Sequence, residues 1–401
     1  MRFCNIVLLV ALVVQVCTIE ITTLWVWGAP YELKQQPTGL AAEQFSKGIS
    51  LLRTGDSKGA EAALRKSLEL IPNHVGALAG LAESLQQQGR HQEARTTIQQ
   101  ALALQPQNGA IQRAWGRYLF SQKEFKEAED AYHKAIQLNP KDASAYVDLG
   151  NLYLGGLNRS SLAAKSFASA VKLAPNDGNA HFGLGTAYAA LKKTKEALVE
   201  LEEAVRLSPN NPVVFMALGN LHREQKNYDK ALAAYTSALK IGPRFIDAAM
   251  AKGDLLAEQG QSDEAKQSYK SVVELDPNRA EAYNNLAWIA AEQKALLDDA
   301  VTWAKKAISL SPSVPQFKDT LAWVYRAQGD LTQAAETLTA ALSVTPDDPT
   351  MTYHLGIVLA EQGKTSQGIG TLKRAMKLHL DAAMVRDAEQ RISALSVAHS
   401  P

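Results

Sequence analysis

Nine prolines recur at a nearly fixed interval: Pro72, Pro106, Pro140, Pro175, Pro209, Pro243, Pro277, Pro312 and Pro346, spaced 34, 34, 35, 34, 34, 34, 35 and 34 residues apart. Proline has no amide hydrogen and its ring clashes with the preceding helical turn, so each ladder proline stops a helix. Twelve residues before each stands an alanine: Ala60, Ala94, Ala128, Ala163, Ala197, Ala231, Ala265, Ala300 and Ala334. Five before it comes another small residue, with Val272 the exception. Eight before it comes a large apolar residue such as Tyr132, Phe167, Tyr235 or Tyr269, although Ala304 fills that place in the eighth unit. Apolar residues at helical spacing flank a short turn, so each unit is two helices. Gly55, Gly89, Gly260, Gly329 and Gly363 mark that turn, where the backbone must leave the right-handed region. Pro212, Pro315 and Pro349 open first helices, where a missing N–H costs nothing. One helix pair cannot bury its apolar face alone, so successive pairs must stack.

The units run 41–74, 75–108, 109–142, 143–177, 178–211, 212–245, 246–279, 280–314, 315–348 and 349–382. Leu380 then stands where the next proline was due. The remaining 383–401 reads as a capping helix with Met384, Ala388, Ile392 and Leu395 on one stripe, followed by a tail. This 34-residue pattern, with Leu149-Gly150, Leu184-Gly185, Leu218-Gly219 and Leu355-Gly356 early in their units, resembles the tetratricopeptide repeat. The resemblance implies an all-α fold, a right-handed superhelical solenoid of about ten repeats.

The N-terminus stands apart. Arg2 precedes an uncharged run from Ile6 to Ile19 that continues past Glu20 to Trp27. Residues 1–27 read either as a signal peptide or as a single-pass membrane anchor, and 28–40 as a linker. On both readings Arg2 stays inside and the repeats are delivered to the extracytoplasmic side. Lys and Arg number 42 against 41 Asp and Glu, a net charge of +1, which argues against nucleic-acid binding. The two cysteines, Cys4 and Cys17, both lie in the apolar segment, so no disulfide framework or cysteine zinc site is expected.

No enzyme is legible. The eight histidines have no ligand spacing and no HExxH motif occurs. His181 and His222 fall on positions that pack between helices. Gly363-Lys364-Thr365 resembles the end of a phosphate loop, but Val358 stands where that loop needs glycine. Asn158-Arg159-Ser160 matches a glycosylation triplet by composition alone. No catalytic residue, cofactor, metal or small-molecule substrate is expected.

The resemblance also implies that the second, fifth, ninth and twelfth residues of each first helix line a concave groove. The expected groove residues are Arg117, Asn151 and Asn220 in earlier units, with Arg113, Phe182 and Met216 nearby. In the C-terminal units they are Asn284, Trp288, Asp319, Trp323, Arg326 and Tyr353, a mixture of aromatic and hydrogen-bonding groups suited to a binding hot spot. Family members that clamp a terminal carboxylate carry lysine at the fifth position and asparagine at the ninth. Here Asn151 and Asn220 follow Val147 and Met216, so that clamp is missing. The stretches Asn284–Trp288, Asp319–Trp323 and Tyr353–Gly356 also resemble bacterial envelope repeat proteins linked to exopolysaccharide export. The expected function is a non-catalytic scaffold, exported or membrane-anchored, that recruits peptide segments of partner proteins for assembly of an envelope or polysaccharide-secretion complex. The alternative is a regulatory or chaperone-like subunit that positions a separate enzyme, such as a glycosyltransferase or secretion ATPase.

Overall fold

A computed structural model describes residues 39–397; the apolar segment, most of the linker and the final residues lie outside that range. Among the described residues there are 21 α-helices and no strand, the arrangement of a helical repeat solenoid. They form two compact units, one ending at Lys226 and one beginning at Asn227. The first holds α1 (Leu40–Arg53), α2 (Ser57–Leu70), α3 (Val75–Gln87), α4 (His91–Leu104), α5 (Gly109–Ser121), α6 (Phe125–Leu138), α7 (Ala143–Asn151), α8 (Ser160–Leu173), α9 (Gly178–Ala190), α10 (Thr194–Leu207) and α11 (Pro212–Glu224). The second holds α12 (Tyr228–Ile241), α13 (Ile246–Glu258), α14 (Ser262–Leu275), α15 (Ala280–Gln293), α16 (Leu297–Leu310), α17 (Pro315–Gln328), α18 (Leu331–Leu342), α19 (Pro349–Glu361), α20 (Thr365–Lys377) and α21 (Ala382–Val397).

The ladder prolines act as their chemistry requires. Each even-numbered helix from α2 to α16 ends two residues before its proline. All nine ladder alanines are fully buried, which lets helices approach to backbone distance. The side chains eight before each proline, from Leu64 and Ile98 to Tyr269 and Leu338, are buried beside them. First helices begin with side-chain caps: Asn108, Asp142, Asp177, Asn211 and Asp348 each accept from a backbone N–H at the start of the helix that follows. Pro212, Pro315 and Pro349 occupy the first helical turn.

The turn glycines all adopt left-handed backbone, with φ between 74° and 85°. Where a unit lacks glycine the same conformation is forced on lysine: Lys123, Lys192 and Lys226 have φ of 63°, 60° and 61°. The two 35-residue units absorb their extra residue differently. In the first, α7 runs into a π-helical turn, Leu152–Gly156, with Asn158 left-handed after it. In the second, Lys294 and Leu296 are both left-handed between α15 and α16. At the end, Leu380 is buried under α21, whose Ala388, Met384, Val385 and Ile392 pack on the same core. Among the described residues no helix is long and apolar enough to cross a membrane.

Candidate functional site

Consecutive first helices α15, α17 and α19 lie side by side in the second unit. They carry one aromatic cluster. The indoles of Trp288 and Trp323 stack with centroids 5.9 Å apart and planes 9° from parallel. The His354 imidazole lies 4.3 Å from the Trp323 ring and 6.0 Å from that of Trp288. The Arg326 guanidinium sits 4.3 Å from the Trp323 ring centre, a cation–π contact. Both tryptophans are half-buried, but they are held differently. Trp323 packs onto the cores around Leu321 and around Ile357, and its indole N–H donates to Glu292 Oε1 at 2.6 Å. The indole N–H of Trp288 meets no acceptor among the described residues.

The polar groups beside the cluster are tied to one another. Arg326 donates to both oxygens of Glu361, Nε at 2.8 Å and Nη2 at 2.5 Å. Asp319 is buried and accepts from His354 Nδ1 at 2.7 Å, which sets the imidazole against the indoles. Tyr353 is also buried; its hydroxyl donates to Asp387, which Arg391 holds from 2.5 Å. Burial, and then that hydrogen bond, push the Tyr353 phenol up to about 12. The half-buried Asn284 reaches Asn285 Oδ1 at 3.4 Å, and its own Oδ1 is buried without a donor. Asp319 and Tyr353, expected to face a partner, therefore serve the internal frame, because a buried polar group left unpaired costs more than it could return at a surface.

The earlier expected residues lie in the first unit. Arg117 pairs with Glu83 at 3.3 Å. Its neighbour Arg113 is buried against Asp142 at 3.1 Å and lies 3.8 Å from Asp148. Burial raises the Asp148 carboxyl despite Arg117 and Arg113 nearby. Asn151 and Asn220 are half-buried, while Phe182 and Met216 are buried. His181 and His222 are buried between helices as expected, and His181 bonds Glu200 at 2.6 Å and the Pro175 carbonyl at 2.9 Å. Among the described residues no three or more His, Cys, Asp or Glu converge to hold a metal ion.

Sequence reasoning passed over His354, Glu292 and Glu361, and also the carboxylates Asp247, Asp254 and Glu281 on groove positions of α13 and α15. A signal for several of them existed. Asp319 and His354, Arg326 and Glu361, and Tyr353 and Asp387 are separated by 35, 35 and 34 residues. One repeat period is the distance at which side chains on stacked units meet.

Sequence models of the tetratricopeptide repeat match residues 51–116, 152–212, 212–245, 250–315 and 320–383, and a TPR repeat model matches 116–155. The type IV pilus assembly protein PilF of Pseudomonas aeruginosa is 30% identical over 105 residues, which are 26% of this chain and 42% of that protein. A small glutamine-rich tetratricopeptide repeat-containing protein 2 of Mycosarcoma maydis is 30% identical over 102 residues, 25% of this chain and 29% of that one. The chain thus spans less than half the length of either relative. Among solved structures, YrrB, described as a TPR protein with an unusual peptide-binding site, is 26% identical with a TM-score of 0.40, covering 50% of this chain and 99% of its own.

Proposed function

The chain belongs to the tetratricopeptide repeat family, a protein-interaction scaffold, and from that premise we propose that its working surface is the α15–α17–α19 face, which holds an extended segment of a partner protein against Trp288. One observation carries this reading. Trp288 presents a half-exposed indole whose N–H has no acceptor, stacked on a second indole that the fold itself anchors. An aromatic side chain with one apolar face and one free donor is what a dry, oriented contact needs. We further propose that the scaffold is exported or membrane-anchored through residues 1–27 and serves assembly of an envelope or polysaccharide-secretion complex. The apolar run after Arg2 and the local similarity to a pilus assembly protein support that placement.

The test separates binding from folding. Trp288→Ala should weaken capture of native partners from detergent-solubilised membranes by about 30-fold, the equivalent of about 2 kcal/mol, with little change in stability. Trp323→Ala should lower both, since it removes core packing as well as the platform. Unfolding of the second unit by Trp288→Ala, or capture unchanged from wild type, would refute the assignment. A reporter active only outside the cytoplasm, fused after Leu40, should give signal; its silence would refute export.

A further inference from the structure

We infer that the segment held on this face is basic: an extended stretch of the partner with lysine or arginine beside an apolar residue. This rests on the proposed α15–α17–α19 surface and names the chemistry it takes. At the second, fifth, ninth and twelfth positions of α13, α15, α17 and α19 stand four carboxylates and one cation, Arg326; Asp247 and Glu281 share Arg279 at 3.0 and 3.6 Å, Asp254 accepts from Tyr269 and Asn285, and the buried Asp319 accepts from His354. Glu292 and Glu361 add two exposed carboxylates at the ends of α15 and α19.

The cations around the aromatic cluster are committed. Arg326 is forked onto Glu361 and stacked on Trp323, and Arg391 is bound to Asp387. His354 donates its Nδ1–H hydrogen bond to Asp319. An acidic segment or a free C-terminal carboxylate would meet only cations that a carboxylate of the fold already neutralises. A lysine or arginine meets one exposed carboxylate with no cationic partner among the described residues. Glu292 has a single partner, the Trp323 indole through Oε1, so its other oxygen can accept. The Trp288 face beside it offers a cation–π contact, and its N–H can donate to a backbone carbonyl of the same segment. A lysine or arginine drawn to the Glu292 carboxylate also makes binding salt-sensitive.

The experiment selects from a random library of 12-residue peptides displayed on phage, using the full-length chain in detergent micelles. Selected peptides are then remeasured as synthetic peptides. Enrichment of lysine and arginine is expected. Binding should fall about 30-fold in Trp288→Ala, about 5-fold in Glu292→Gln and at least 5-fold between 50 and 300 mM salt. Glu274→Gln, an exposed change on α14 away from these positions, should leave binding unaltered. Peptides that depend on Trp288 but are acidic or neutral, or that ignore both Glu292→Gln and salt, would overturn the basic-segment inference and leave the binding surface standing. Peptides indifferent to Trp288→Ala, or no peptides at all, would overturn the surface and this inference with it.

Discussion

Two Gly→Ala substitutions, both inside helices, should have opposite effects, and the size of the difference can be worked from the packing. Phe167, fully buried on α8, lies between Gly150 on α7 and Gly183 on α9. A methyl group added at Gly183 would sit 2.3, 2.5 and 2.6 Å from three carbons of that ring. One added at Gly150 would sit 2.8 to 2.9 Å away on the same ring. The same three ring carbons lie against both glycines, so the ring must shift within a closed core to admit a methyl at 183. Overpacking of this kind costs about 1–3 kcal/mol, here at the upper end because the ring is fully buried and the contact as short as 2.3 Å. Alanine's better helix propensity offsets about 1 kcal/mol of it, leaving a net loss of about 2 kcal/mol. Gly370, exposed on α20 with nothing within 4 Å of an added methyl, gains the propensity and meets no clash. Gly370→Ala should therefore stabilise its repeat by about 0.5–1 kcal/mol. Native-state hydrogen exchange on the full-length protein, read amide by amide in α7–α9 and in α19–α20, gives local opening free energies for each variant. Combining Gly183→Ala with Phe167→Leu should recover part of the loss by vacating ring volume. A Gly183→Ala protein as stable as wild type in α7–α9 would show that the ring can move, and the clamp argument would fail.

Two further outcomes follow from backbone and burial. Lys123→Gly should stabilise the third repeat by about 0.5–1 kcal/mol, since five other turns already place glycine in this left-handed conformation; urea unfolding that shows destabilisation would refute it. His74 is buried edge-on against Phe45 at 4.7 Å with neither ring nitrogen hydrogen-bonded, and burial lowers its pKa. Below its ordinary value of about 6.5 the unfolded chain then binds the proton that the folded one refuses, so stability falls as pH drops, by up to about 1.4 kcal/mol per unit until the folded histidine also protonates. Hydrogen exchange in α1–α3 between pH 8 and 5 should show that slope in wild type and lose it in His74→Phe; equal slopes in both would remove His74 as the cause.

The repeat is written in short-range signals along the chain. A proline every 34 or 35 residues, an alanine twelve before it and a large apolar residue eight before it are local instructions, each acting within two helical turns of its own position. The helices, their ends, the buried alanine ladder and the capping stripe through Ala388 follow from them without reference to distant residues. The groove positions could also be counted off, because they repeat with the same period. What counting could not supply was the state of each side chain once repeats stack. Asp319, Trp323, Arg326 and Tyr353 occupy equivalent kinds of position to Trp288, yet His354, Glu292, Glu361 and Asp387 engage all four from neighbouring helices. Of the five, Trp288 alone makes no hydrogen bond to a neighbouring helix among the described residues. That outcome depends on side-chain reach and rotamer across a helix interface, where a tenth of a nanometre decides whether a hydrogen bond forms or a group is left for a partner. A one-dimensional period fixes which residues are neighbours; tertiary geometry decides which of them are already satisfied.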